Sequence, residues 1–115
     1  MDRTMRISEE IKREISGIIQ TELKDPRLSK LISVTHVKAT KDLRYAKVFV
    51  SIMADDEEKK EVLKGLESAA GFIRREIGSR LQIRYSPEII FEIDNSIEYG
   101  AQISKLIKDI KEKDK

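Results

Sequence analysis

Cysteine is absent from this chain, and that one absence removes disulfide scaffolds, zinc ribbons and thiol catalysis together. It also fits a reducing compartment. The single histidine, His36, leaves no His-based dyad with a thiol and no multi-histidine metal site. As a strand histidine it is best explained as structural or surface. Only two prolines and five glycines occur, no Gly/Pro/Ser-rich linker divides the 115 residues, and no Gly-x-x-Gly tetrapeptide is present. No apolar run approaches a membrane span, and the first residues carry no core of signal-peptide length. These absences predict one soluble, cytoplasmic domain over 1–110, followed by a short charged tail over 111–115, with no metal, no cofactor and no membrane contact. A domain of this size buries about two-thirds of its unfolded surface, enough to fold unaided.

Charge is abundant but nearly balanced, with 23 Lys and Arg against 21 Asp and Glu. Its distribution is more informative than its sum. Lys38, Lys41, Arg44 and Lys47 face only Asp42 in their segment, and Arg74, Arg75, Arg80 and Arg84 face only Glu76. Asp55 to Glu61 carries five acids against Lys59 and Lys60. Such segregation fits a domain with a basic face for a polyanion and an acidic face away from it. Solvated surface in a chain that is 38% charged is the plainer account of the same blocks. Asp55, Asp56, Glu57 and Glu58 likewise suit a helix start better than Mg²⁺ capture.

Periodicity supplies the elements. Ile7, Ile11, Ile15, Ile18 and Ile19 form one face of a helix from about Thr4 to Leu23, stopped by Pro26. A strand over Ser33 to Thr40 has an alternation that slips near His36, which points to a bulge. A short polar link from Thr40 to Leu43 leads to a clean strand from Tyr45 to Ile52, so the two strands make a hairpin. Asp55 and Asp56 can cap the next helix. A third strand spans Glu88 to Asp94, and a last helix carries Ile103, Leu106, Ile107 and Ile110.

Between the second and third strands, Val62, Leu66, Ala69, Ile73, Ile77 and Leu81 form a stripe interrupted by Gly71. A mid-helix glycine costs about 1 kcal/mol relative to alanine, so the sequence predicts two helices meeting at Gly71. The predicted order is α-β-β-α-α-β-α. The second strand sits centrally, antiparallel to the first and parallel to the third, in a three-stranded mixed sheet with the helices on one face. That is the plan of an α+β, type II KH-like domain. Gly71 with Arg74 and Arg75 then reads either as a packing kink beside solvated arginines or as a turn that admits phosphate to helix amides.

With those elements placed, the chain resembles the ribosome-binding factor A family over nearly its whole length. The resemblance rests on Leu23 to Arg27, on Asp42 to Val50, and on Gly71 to Asp94, above all Ile73, Arg74, Arg75, Glu76, Arg84, Tyr85, Pro87, Glu88 and Phe91. It implies that Ala69, Ala70 and Gly71 form the family's Ala-x-Gly interhelical kink, in place of the Gly-x-x-Gly loop of other KH domains. It also implies a non-enzymatic, monomeric factor that binds free 30S subunits through 16S rRNA. Late 30S maturation, 5′-end processing of 16S rRNA and growth in the cold are carried over with it, as is cooperation with other assembly factors. The residues expected at RNA phosphates are Lys41, Arg44, Lys47, Gly71, Arg74, Arg75, Arg80 and Arg84, with Arg3, Arg6 and Arg13 on the first helix. Among Tyr45, Phe49, Tyr85 and Tyr99, only Phe49 is assigned to the sheet face opposite Val48 and Val50. The competing reading is a protein-interaction module that docks through the acidic helix start at Asp55 to Glu61.

Overall fold

A computed structural model describes residues 2–28 and 31–95. Helix α1 spans Arg3–Thr21, where Asp2 caps the helix by accepting from the Met5 N–H at 2.8 Å. Its isoleucine stripe, Ile7, Ile11, Ile15 and Ile18, is buried as the spacing requires. The buried Ser8 hydroxyl accepts from the Ala39 N–H at 3.0 Å and fixes the helix to the first strand.

Strands β1 (Leu31–Ala39), β2 (Tyr45–Met53) and β3 (Glu88–Ile93) form one sheet in the order β1-β2-β3. The first pair is antiparallel and the second parallel, with Tyr45 opposite Glu88 and Val50 opposite Ile93. The predicted bulge is present: Val34 pairs with Val50 and His36 with Phe49, leaving Thr35 as the extra residue. The extra residue restores parity, so Val37 and Ala39 turn inward beyond it. The Thr35 hydroxyl uses its irregular position to donate to Asp94 Oδ2 at 2.6 Å. Ala46, Val48, Val50 and Ile52 of β2 are buried in the core shared with both helices, and their neighbours Tyr45, Lys47 and Met53 are exposed on the opposite face.

The expectation of two helices around Gly71 is corrected. Asp56–Leu81 form a single 26-residue helix, α2, capped by the Asp55 carboxylate at the Glu58 N–H. Gly71 is exposed within it and adopts no positive φ. The local penalty of one glycine is about 1 kcal/mol, and Val62, Leu66, Ile73 and Ile77, all buried, each return about 1.5–3 kcal/mol. Burial on both sides outweighs the break. The described order is therefore α-β-β-α-β, with a one-turn 3-10 helix at Pro26–Leu28; the predicted last helix and Tyr99 lie outside the described residues.

The glycines that shape packing are Gly65 and Gly78. A Cβ on Gly65 would stand 3.0 Å from Leu28 Cδ2, and one on Gly78 would stand 3.1 Å from Ser86 Cβ. The missing side chains let two chain segments lie close on α2. One is the corner after α1, where Asp25 binds the Arg27 guanidinium at 2.6 Å and accepts from the Arg27 N–H at 2.9 Å. The side-chain bond to Arg27 holds the Asp25 carboxyl below the usual carboxylate range, and the Arg27 N–H adds to the effect.

Two outcomes follow from this packing. Gly71→Ala, with nothing within 4 Å of the new Cβ, is expected to raise unfolding free energy by about 1 kcal/mol, whereas Gly78→Val should lower it by roughly 1–3 kcal/mol; urea denaturation of both variants checks the contrast. Because the folded-state value of Asp25 is depressed, its contribution is complete above the ordinary carboxylate value of about 4 and is lost as pH falls through the lower one. Asp25→Asn should therefore be less stable than the unaltered protein at neutral pH and converge with it in acid, as read from urea midpoints across that range.

Candidate nucleic-acid interface

Three segments distant in sequence meet at one end of the sheet. The β1–β2 hairpin turns at Leu43, a non-glycine residue held at φ 60, while the Leu43 N–H donates to Thr40 O at 2.9 Å. Asp42 Oδ1 accepts from the Thr40 hydroxyl at 2.7 Å and from the Arg44 N–H at 3.1 Å. Those bonds, the hydroxyl first, lower the Asp42 carboxyl from its ordinary value and keep it charged beside Arg44. The parallel pairing then begins with the Glu88 N–H donating to Arg44 O at 2.7 Å, which brings the hairpin against the start of β3.

The second segment is the return from α2 to β3. Gln82 closes α2 in the left-handed conformation, and the chain doubles back until Ser86 lies over Gly78. There the Ser86 hydroxyl donates to Arg74 O at 2.6 Å, and Arg74 Nε donates to Ser86 O at 3.1 Å. This reciprocal pair locks both the loop and the arginine. Pro87, fully buried, follows directly. The Arg84 guanidinium lies 5.4 Å from the centroid of the Tyr85 ring.

The third segment is the first turn of α1, which contributes Arg3. Together these residues line an open cleft of about 440 Å³. Arg3, Arg44, Arg74 and Arg84 stand there against Asp42 and Glu88, with Tyr45 and Tyr85 among the walls. Tyr85 is 73% exposed and Tyr45 43%, so both rings present free surface at the cleft. Tyr45 also alternates with Phe49 on the same face of β2, so Phe49 is not the only aromatic residue there.

The other candidate residues fall elsewhere. Arg80 is held by three carboxylates: Glu22 at 2.6 Å, Glu76 at 3.3 Å and Glu14 at 3.4 Å. These partners, Glu22 first, raise its pKa further above the usual arginine value. The network joins α1 to α2. Arg13 borders the same cluster beside Glu10 and Glu14. Lys47 lies 3.4 Å from Glu92 on the face of the sheet away from the helices. Lys41 lines a separate apolar groove with Met5 and His36. Arg6, Gly71 and Arg75 are exposed on the helices. Phe49 packs against His36, ring centroids 5.7 Å apart. Sequence reasoning missed the cleft as a unit and missed Gly78, a second glycine in the helical segment next to Ile77, which was the available signal.

The acidic block has local explanations. Asp55 caps α2, Asp56, Glu57 and Glu58 occupy its first turn, and Lys60 and Lys64 pair with Glu57 and Glu61. Among the described residues no group of three or more metal-ligating side chains occurs, and no helix is long and apolar enough to cross a membrane.

Comparison with known proteins identifies the family. The family model described as Ribosome-binding factor A matches residues 3–107. Ribosome-binding factor A of Acetivibrio thermocellus is 72% identical over 109 residues, covering 95% of this chain and 89% of that protein. A Thermotoga maritima relative solved by NMR is 38% identical, with a TM-score of 0.73 over 84% of this chain and 91% of its own. A homology model of the Thermus thermophilus factor, fitted into a cryo-EM map of its complex with 30S, is 27% identical. It gives a TM-score of 0.63 over 76% of this chain and 91% of that one. This chain belongs to the ribosome-binding factor A family.

Proposed function

We propose that the chain is a non-enzymatic assembly factor that binds free 30S subunits through 16S rRNA and promotes late subunit maturation, including 5′-end processing and growth in the cold. The observation that carries the reading is the convergence of Arg3, Arg44, Arg74 and Arg84 in one cleft. Guanidinium groups held this way suit phosphate oxygens, which they can contact in bidentate fashion. Such contacts fix position more than sequence, so the complex should recognise RNA shape and weaken with salt. The antiparallel hairpin and the parallel strand reached through α2 support a type II KH-like reading of the fold. The 30S partner comes from the Thermus relative, whose complex is with that subunit.

Arg6, Lys41, Gly71 and Arg75, exposed on the same elements, are proposed as outer contacts. Lys47 and Arg80 are assigned to intramolecular carboxylates, and Arg13 is placed beside the Arg80 cluster. The factor would hold an immature rRNA conformation as a monomer until other assembly factors displace it. Docking of a protein on the acidic helix start has no observation favouring it, since capping and helix pairs account for those acids.

Sedimentation with purified 30S subunits at two salt concentrations tests the assignment. Arg74→Glu with Arg84→Glu should weaken association at least ten-fold and lower the log–log salt slope by about 1 or more, while Arg80→Gln should leave association within about two-fold of the unaltered protein. Equal association by the double variant would remove the cleft from the interface.

A further inference from the structure

We infer that the cleft is a nucleotide-capture site, which takes about one or two unpaired nucleotides of single-stranded RNA and stacks a base on Tyr85. The inference rests on the RNA-binding reading above and adds the conformation of RNA recognised. Its size is the first reason. A cleft of about 440 Å³ falls within the usual range for small-ligand pockets, about 300–1,000 Å³, the scale of a nucleotide rather than of a helix.

The chemistry of the walls is the second reason. Phosphate needs cations alone, yet this cleft pairs its arginines with two exposed tyrosines. Arg84 lies over the Tyr85 ring, and with the side chain 73% exposed the ring retains a surface for a base. Cation, ring and base in sequence form the stacking arrangement by which single strands are held without base-specific hydrogen bonds. Tyr45 lies across the same cleft at the start of β2.

Preorganisation is the third. Ser86 and Arg74 hold each other through two hydrogen bonds, the Glu88 N–H ties β3 to Arg44, and buried Pro87 lies between these attachments. The backbone on either side of Tyr85 is therefore held in place before a nucleotide enters. A purely electrostatic patch would need neither this rigidity nor the exposed rings.

The chain contains no tryptophan and three tyrosines, two of them in the cleft, so its tyrosine emission reports directly on stacking. Tetra-adenylate titrated into the full chain should quench that emission, and an RNA duplex added at equal phosphate concentration should not. Tyr85→Ala should weaken tetra-adenylate binding about ten-fold, measured by anisotropy of the labelled oligonucleotide, while Tyr85→Phe retains it. Circular dichroism confirms that each variant is folded. Unchanged affinity in Tyr85→Ala, or equal competition by the duplex, would overturn the inference. Sedimentation with 30S subunits without any quench would overturn the nucleotide site and leave the ribosomal reading; loss of both would overturn the two together.

Discussion

Everything in this fold depends on one buried surface, where the isoleucine stripe of α1, chiefly over β1, and the apolar stripe of α2, chiefly over β3, cover the same face of the sheet. Ile11, Ile15, Ile18, Ile73 and Ile77 are fully enclosed there with Ala46, Val48 and Val50. At about 1.5–3 kcal/mol for each large aliphatic side chain, this burial dominates any single polar contact. It also decides local conformation, because it carries α2 unbroken through Gly71. The Arg80 cluster acts at the rim of the same packing, joining Glu14 and Glu22 of the α1 region to α2. Exposed ion pairs of this kind fix orientation more than they add stability.

The cleft is a consequence of where that packing ends. The parallel partnership of β2 with β3 requires a long connection, and α2 supplies it. The return of the chain at Ser86, made close by Gly78, sets the α2–β3 loop beside the hairpin and the first turn of α1. Arginines from three separate segments of sequence thus reach one place. Electrostatic contacts to phosphate gain where a side chain is already held, as Arg74 is by Ser86, since less side-chain freedom is lost on binding.

Much of the scaffold was legible because its signals are local. The isoleucine spacing gave α1, the slip near His36 gave the bulge, and Asp55 gave the start of α2. The break at Gly71 was misjudged because a local propensity was weighed without the burial on either side of it. Arg80 looked like a free cation in its own segment, yet its partners Glu14 and Glu22 lie 66 and 58 residues away. The same reason hid the cleft: Arg3, Arg44 and Arg84 share no sequence pattern, and only the register of β2 with β3 brings the last two together.

The proposed entry point for rRNA is this corner of the molecule, between hairpin and loop. Ultraviolet cross-linking of the full chain to 30S subunits, with the modified peptides identified by mass spectrometry, examines it most directly. Adducts on residues 42–45 and 83–88 are the expected result. Adducts confined to the acidic start of α2 at residues 55–61, or to the sheet face around Phe49, would contradict it.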